Sequence, residues 1–325
     1  MNILVTGGCG FIGSHIVEHH MAKGDHVQVI DDLSTGSLDN IRVFINNPKF
    51  KFDKADILTW PGLQKAVVSA TRIYHMAAII GIYRVIAEPF NVFSTNILGC
   101  ERLLRTIHQT KSRPWVMIAS SSSVYGHGQS ELLSENNDLI IKAINNPLSG
   151  YAISKIFAEK LGLAYFTAAN IPVTLIRFFN IIGPRQIGRY GMVVPRFIRQ
   201  SCQDESITVY GDGSQTRSFC DVRDAVSALE LLANNDQCHG EIINIGQDSE
   251  ISINDLAHLI QKKTDSRSKI KYVPYREAYG MDLTDIKQRR PDLTKLSRLT
   301  GFTHQWPLEK SIDNLASFYM AGEKY

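Results

Sequence analysis

The chain has 325 residues, 44% of them hydrophobic and 21% charged, with a formal net charge of +3. That is enough for one large or two medium domains around a sizeable core, in a balance ordinary for a globular protein. No long basic run occurs, and the densest basic pairs, Lys262-Lys263 and Arg289-Arg290, read as solvated surface or a local anion site, which argues against a nucleic-acid partner.

From the N-terminus, Asn2 to Thr6 is a β-type run that leads straight into glycines, with no basic leader and no long apolar segment before it. No stretch reaches the roughly 18 apolar residues a membrane span needs. Five widely spread cysteines, Cys9, Cys100, Cys202, Cys220 and Cys238, show neither metal-ligand spacing nor a disulfide framework, and no His/Cys/Asp cluster marks a metal site. The expectation is a soluble cytoplasmic protein with reduced thiols, no metal and no membrane partner.

Thr6-Gly7-Gly8-Cys9-Gly10-Phe11-Ile12-Gly13 follows that first strand and opens a helical pattern through Ile16 and Val17. Gly7, Gly10 and Gly13 allow a tight turn and close approach to a pyrophosphate, and the helix N-terminus presents free N–H groups to the anion. His26 to Ile30 reads as the second strand and ends at Asp31 and Asp32, where a carboxylate can accept both hydroxyls of an adenosine ribose and repel a 2′-phosphate. Leu33-Ser34-Thr35-Gly36 follows without an arginine, so NAD is favoured over NADP. Asp56-Ile57 has the look of a strand-end pair for the adenine edge, and equally of an ordinary turn.

Further strands are expected at Ile73 to His75, Trp115 to Ala119 and Val173 to Arg177, separated by helix-length intervals. This alternation predicts an α/β fold, a Rossmann-type doubly wound parallel sheet covered on both faces. After Asn180, glycine, proline and arginine become dense and the alternation stops. Residues 1–180 are therefore expected to form a cofactor-binding domain and 181–325 a smaller substrate-binding domain, with a strand near 241–246 returning to the first. His75, inside a strand, reads as a satisfied core residue rather than a catalyst.

Ser120-Ser121-Ser122-Ser123-Val124-Tyr125-Gly126 lies at the carboxyl end of a predicted strand, and Tyr151-Ala152-Ile153-Ser154-Lys155 is a YxxxK pair. On a helix, phenol and ammonium four residues apart share a face, and a nearby cation favours phenolate, making tyrosine a usable base.

Glycine loop, Asp31, serine cluster and YxxxK stand in the order found in the extended short-chain dehydrogenase/reductase family, and the chain resembles its NAD-dependent nucleotide-sugar epimerases and dehydratases over nearly its whole length. The resemblance extends to His75-Met76-Ala77-Ala78, Asn96 in Asn-Ile-Leu-Gly, Arg177-Phe178-Phe179-Asn180, Gly183-Pro184-Arg185 and Tyr210 to Arg217. It implies Ser121 as the catalytic Ser/Thr, Tyr151 as base and Lys155 as the residue binding nicotinamide ribose. It implies Phe11, Ile12, Ala77, Ala78 and Asn96 beside the cofactor, and Ser122, Ser123, Asn180, Val194 and Arg217 beside the substrate, with Asn180 and Arg217 on its diphosphate. Arg289 reads as either a further sugar- or phosphate-facing residue or surface.

In this family, dehydratases carry Asp-Glu directly after the catalytic Thr, and decarboxylases carry Glu two residues after it. Here those places hold Ser122 and Ser123. The resemblance then implies 4-epimerisation of a UDP-sugar of the UDP-glucose/UDP-galactose type, by transient oxidation at C4. UDP-glucuronate 4-epimerase or decarboxylase, sugar-nucleotide dehydratase and a non-catalytic NAD-binding scaffold are the alternatives. Helices beginning near Glu88 and Tyr151 imply a homodimer, although both apolar faces could equally pack within one monomer.

Overall fold

The computed structural model describes residues 1–128, 130–141, 146, 148–188, 191–280 and 286–320. Its strands are β1 (Asn2–Thr6), β2 (His26–Asp31), β3 (Phe50–Lys54), β4 (Arg72–His75), β5 (Trp115–Ser121) and β6 (Val173–Phe178). There follow β7 (Ile181–Ile182), β8 (Ile207–Tyr210), β9 (Thr216–Ser218), β10 (Cys220–Asp221), β11 (Ile242–Ile245), β12 (Glu250–Ser252) and β13 (Ile270–Val273). The helices of the first half are α1 (Phe11–Ala22), α2 (Leu63–Ser69), α3 (Ile82–Ala87), α4 (Pro89–Phe93), α5 (Gly99–Thr110) and α6 (Ser149–Ala169). Those of the second are α7 (Val193–Cys202), α8 (Val222–Leu232), α9 (Ile253–Lys263), α10 (Tyr275–Tyr279), α11 (Thr294–Thr300) and α12 (Leu308–Met320).

Seven strands form one sheet in the order β11-β6-β5-β4-β1-β2-β3, and every pairing in it is parallel. A parallel sheet must be covered on both faces, so its central strands read as continuous runs rather than alternating ones. In β6, Val-Thr-Leu-Ile-Arg-Phe, every residue is buried. Ile16 and Val17 of α1, Ala225 and Leu229 of α8 and Leu296 of α11 share one core with the sheet. Leu63 and Val67 of α2, Leu103 and Ile107 of α5 and Ala158 of α6 share the second.

The sheet order reverses between β1 and β4, which opens a crevice at the carboxyl ends of these strands. The glycine loop leaves β1 at that point, and Ser121 ends β5 beside it. β11 pairs with β6 through Ile242–Leu175 to Ile245–Phe178, so the chain does return to the first sheet. A third core, with Phe197 of α7, Val209 of β8, Leu256 of α9 and Leu315 of α12, faces the crevice's other side. Two short pairings, β8 with β13 and β9 with β12, border it.

β3 was not among the expected strands. It is the sheet's edge, and Lys51, Asp53 and Lys54 interrupt its apolar residues because one side of it meets solvent. No helix among the described residues is long and apolar enough to cross a membrane.

Candidate active site

A cleft of about 660 Å³ runs along the carboxyl ends of β1, β2, β4, β5 and β6. At one end lies the glycine loop. Gly7 adopts φ +71°, and a Cβ there would come within 2.7 Å of the Ala77 backbone nitrogen. A Cβ on Gly13 would lie 2.1 Å from the Gly7 carbonyl oxygen. Only glycine fits either place, and the result is a loop pressed flat against β4 with the start of α1 facing the cleft.

Asp31, almost fully buried at the end of β2, holds this loop. Its Oδ2 accepts the Cys9 N–H at 2.9 Å and its Oδ1 the Leu33 N–H at 2.8 Å. Burial keeps its carboxyl above the usual carboxylate range, against the downward pull of those two N–H groups. Asp32 is tied to the Ser34 N–H, and Asp56 to that of Leu58, each at 2.8 Å. Gly7, Gly10, Phe11, Ile12, Gly13, Asp31, Asp32, Asp56, Ile57, Ala77 and Ala78 all line the cleft.

Asn96 does not. Its carboxamide accepts the Ile79 N–H at 2.8 Å and donates to the Ile79 carbonyl and to Ser154 Oγ, bracing the segment after β4 against α6. A buried amide that satisfies its neighbours' backbone has this place behind the wall, not on it.

At the middle of the cleft, Ser121 Oγ donates to Ser123 Oγ at 3.0 Å and accepts the Ser123 N–H at 3.2 Å. Tyr151 stands in the first turn of α6 and Lys155 one turn later, with Nζ 6.0 Å from the tyrosine ring centre. Burial pushes the Tyr151 phenol up to about 12; a hydrogen bond with Ser121 and the charge of Arg289 pull it down. This corrects the sequence argument, in which Lys155 does the pulling. The Lys155 ammonium instead donates to the Ala119 carbonyl at 2.8 Å, at the end of β5. Burial lowers Lys155 to about 8.

Asn180, Val194, Arg217 and Arg289 line the far end together with Ser122 and Ser123. Asn180 donates to the Ser218 carbonyl at 2.9 Å, and Arg217 to the carbonyls of Thr216 and Ile286 at 2.7 and 2.8 Å. Sequence reasoning missed the wall opposite. There the Arg196 guanidinium lies 3.7 Å over the Tyr210 ring, Tyr83 Oη meets Tyr210 Oη at 3.2 Å, and Tyr275 and Tyr279 stack at 6.2 Å. The four-residue spacing of Tyr275 and Tyr279 on one helix face was a usable signal. Tyr83 carried none, because it comes from the other side of the cleft.

His75 is buried, with its Nδ1 2.8 Å from Thr6 Oγ1, as expected of a core residue. Among the described lining residues the only carboxylates are Asp31, Asp32 and Asp56, all at the glycine-loop end. Lys155 stands at the middle with Tyr151, and His127, Arg196, Arg217 and Arg289 line the remainder. The charged side chains of the lining are thus divided, with its carboxylates at the glycine-loop end and its arginines away from it. No group of three or more metal-ligating side chains occurs among the described residues.

Comparison with known proteins agrees with this geometry. The sequence pattern of the family described as GDP-mannose 4,6 dehydratase matches residues 4–315. The chain is 37% identical over 300 residues to the UDP-N-acetyl-alpha-D-glucosaminuronate decarboxylase of Bacillus cytotoxicus, covering 92% of this chain and 91% of that one. It is 33% identical over 317 residues to UDP-glucuronic acid decarboxylase 4 of Arabidopsis thaliana, covering 96% of this chain and 67% of that one. Among solved structures, UDP-glucuronic acid 4-epimerase from Bacillus cereus, in complex with UDP-glucuronic acid and NAD, superposes with a TM-score of 0.89 at 29% identity. That likeness covers 99% of this chain and 100% of the other.

Proposed function

The chain belongs to the GDP-mannose 4,6-dehydratase family of extended short-chain dehydrogenases/reductases, NAD-dependent nucleotide-sugar enzymes, and we propose that within it the protein is a 4-epimerase of a UDP-linked hexuronic acid. One observation carries the reaction: among the described residues, no carboxyl group lines the sugar end of the cleft. Dehydration needs an acid–base pair beyond the tyrosine, and Ser122 and Ser123 supply none. The substrate reading follows from the relatives, whose names specify uronic acids, and from the arginines Arg196, Arg217 and Arg289 that line the cleft away from the glycine loop. A UDP-uronate carries one more negative charge than UDP-glucose or UDP-galactose, the sugars expected from sequence, and gains more from such a field.

The residues present fit NAD. Gly7 and Gly13 leave room that a Cβ would fill, and the start of α1 offers its N–H groups to a pyrophosphate. Gly10, Phe11 and Ile12 complete that cradle, Asp31 and Asp32 would take the adenosine ribose, and Asp56 and Ile57 the adenine. Ala77, Ala78 and Lys155 would take the nicotinamide riboside. When bound, NAD supplies reversible oxidation at the sugar carbon.

Tyr151 then takes the proton from the C4 hydroxyl and gives it back after the sugar has turned its other face. Ser121, hydrogen-bonded to Tyr151, shares that proton's path and holds the C4 oxygen. Asn180 and Arg217 hold the diphosphate, where the planar fork of arginine suits phosphate. With no carboxyl at that end among the described residues, simple return of the hydride is the reaction this reading favours.

The exposed apolar residues Phe90, Phe93, Leu98 and Phe157 stand on α4, the turn after it and α6. They support the expected homodimer through this face.

The test is incubation of the protein with UDP-glucuronate, UDP-galacturonate, their N-acetamido relatives, UDP-glucose and UDP-galactose, followed by proton NMR. Interconversion of the uronate C4 epimers without net NADH is the expected result. Epimerisation of the neutral hexoses alone would return the sugar to the UDP-glucose type. The specific observation for a second reading, decarboxylation, is the 37% identity to a uronate decarboxylase. Release of CO₂ with a pentose product would establish it and overturn the epimerase.

A further inference from the structure

Arg289 lines the cleft from a segment that is tied down on both sides of it. Before it, the Lys287 carbonyl accepts the Thr216 N–H at 2.9 Å, and the Ile286 carbonyl accepts from Arg217 Nη1 at 2.8 Å. After it, the Leu133 N–H donates to the Arg290 carbonyl at 2.8 Å, and the Asp292 N–H donates to the Leu133 carbonyl at 3.0 Å. These last two bonds make a parallel bridge between Leu133 and Pro291. Two backbone bonds outside any strand are a weak hold by themselves.

Asn244 of β11 completes that hold. It is fully buried and does not line the cleft. Its Nδ2 donates to the Leu133 carbonyl at 2.8 Å and to the Asp292 carbonyl at 3.2 Å, so one amide group grips both sides of the bridge. Its Oδ1 accepts the hydroxyl of Tyr125 at 2.8 Å. The orientation is forced. Carbonyls only accept, so the amide nitrogen must face them and the amide oxygen is left for the hydroxyl. β11 is the edge of the sheet, and there the Asn244 backbone N–H donates to Glu135 Oε1 at 2.8 Å, which brings residues 133–135 along it.

Tyr125 is the last residue of the turn Ser122–Tyr125 that follows Ser121, and it too is fully buried. The Arg177 guanidinium lies 4.7 Å from its ring centre. A single carboxamide therefore joins the serine turn to the segment that carries Arg289. Both of its hydrogens are used within the protein, so it acts on a substrate only through the groups it holds.

We propose that Asn244 is a positioning residue for substrate binding: by pinning residues 290–292 to the serine turn, it fixes where the Arg289 guanidinium meets the substrate's diphosphate. The role rests on the reading of Arg289 as a substrate-facing residue, and its test needs no sugar turnover.

The experiment is a double-mutant cycle of Asn244→Ala and Arg289→Ala, read as the dissociation constant for UDP in calorimetric titrations of the NAD-loaded protein. Arg289→Ala is expected to weaken UDP about tenfold and Asn244→Ala about fivefold, whereas adding Asn244→Ala to Arg289→Ala costs less than about twofold more. In turnover, Asn244→Ala should raise KM by about the same factor and leave kcat within about twofold, with NAD affinity unchanged. Should Asn244→Ala not fold, Tyr125→Phe takes its place in the cycle, since it frees the amide oxygen from the partner that sets its angle; a loss of about twofold to threefold is then expected, again absent beside Arg289→Ala. An equal loss of UDP affinity with and without the Arg289 side chain, or a fall in thermal stability alone, would overturn the proposal. Unchanged UDP affinity in Arg289→Ala would remove Arg289 from the substrate and the proposal with it. Coupling between the two positions in a protein that epimerises no sugar would sink the reaction reading and leave the role of Asn244 standing.

Discussion

The hydroxyl of Ser121 donates to that of Ser123 across 3.0 Å, and the backbone N–H of Ser123 returns a hydrogen bond to Ser121 across 3.2 Å. The hydroxyl and backbone N–H of Ser123 are therefore in contact with the group that hydrogen-bonds Tyr151. In this chain that contact is a hydroxyl, which keeps a proton at neutral pH and neither donates it to a leaving group nor takes one from carbon.

Replacing Ser121 by alanine removes the first of the two influences that hold the Tyr151 phenol down. kcat for epimerisation is expected to fall on the order of 100-fold, with the acid limb of its pH profile displaced upward and NAD affinity retained. Steady-state rates between pH 6 and 9, paired with NAD titrations, would check this. An unchanged acid limb would mean that Ser121 does not act through Tyr151.

Ser123→Glu places a carboxyl in the position now occupied by that hydroxyl. Epimer formation is expected to drop by roughly tenfold or more, through charge repulsion with the substrate's own carboxylate and competition for Ser121. Proton NMR of the product mixture reads this directly, and CO₂ release reports whether a carboxyl at 123 suffices to redirect the chemistry.

The two oxygens of Asp31 hold the N–H groups of Cys9 and Leu33, so in the proposed reading it serves both the loop and the adenosine ribose. Asp31→Ala should weaken NAD binding by about 10- to 100-fold and lower stability by about 1–3 kcal/mol. Because the repelling charge goes too, NADP should lose far less affinity than NAD. Calorimetric titration with both cofactors would expose a wrong assignment as an equal loss for each.

His75 is expected to make the protein sensitive to acid. Burial, and after it the charge of Lys155, lowers the imidazole to about 3, whereas the unfolded chain titrates it near 6.5. The unfolded state thus binds the extra proton first. The contribution of this residue is fully present above pH 6.5 and is lost as pH falls towards 3, at about 1.4 kcal/mol per pH unit. Urea unfolding between pH 4 and 7 should show the slope, and a His75→Gln variant should show a shallower one.

Phe90 is 85% exposed and Phe157 44%. Phe157→Arg is expected to shift the protein from dimer to monomer in sedimentation equilibrium, with little change in thermal stability of the monomer. A wild-type monomer at tens of micromolar would remove the dimer from the proposal.

Much of the first half was legible from the chain alone, for an identifiable reason. A parallel strand buried on both faces must be written as an apolar run, and a loop that touches backbone on two sides must be glycine. β1, β2, β4, β5 and β6 were accordingly found within a residue or two of their true ends. β5 and β6 run on to Ser121 and Phe178 because their ladder continues there, although Ser120 and Ser121 are polar. β3 was invisible because an edge strand can afford lysine and aspartate. Asn96 was placed on the cleft because its motif resembles one beside the cofactor, whereas its amide is spent on Ile79 and Ser154.

The sequence by itself determined the fold class, the glycine loop after the first strand, the place of Ser121 at a strand end and that of Tyr151 and Lys155 on one helix, because each rests on local geometry: a strand, a turn, four residues of helix. Only the tertiary structure decided which charges act on them. Beside the hydrogen bond from Ser121, it is the charge of Arg289, far along the chain, that pulls on Tyr151, while Lys155 turns to the Ala119 carbonyl. Electrostatic influence depends on distance and burial through space, and neither quantity is written in the spacing of residues along a chain.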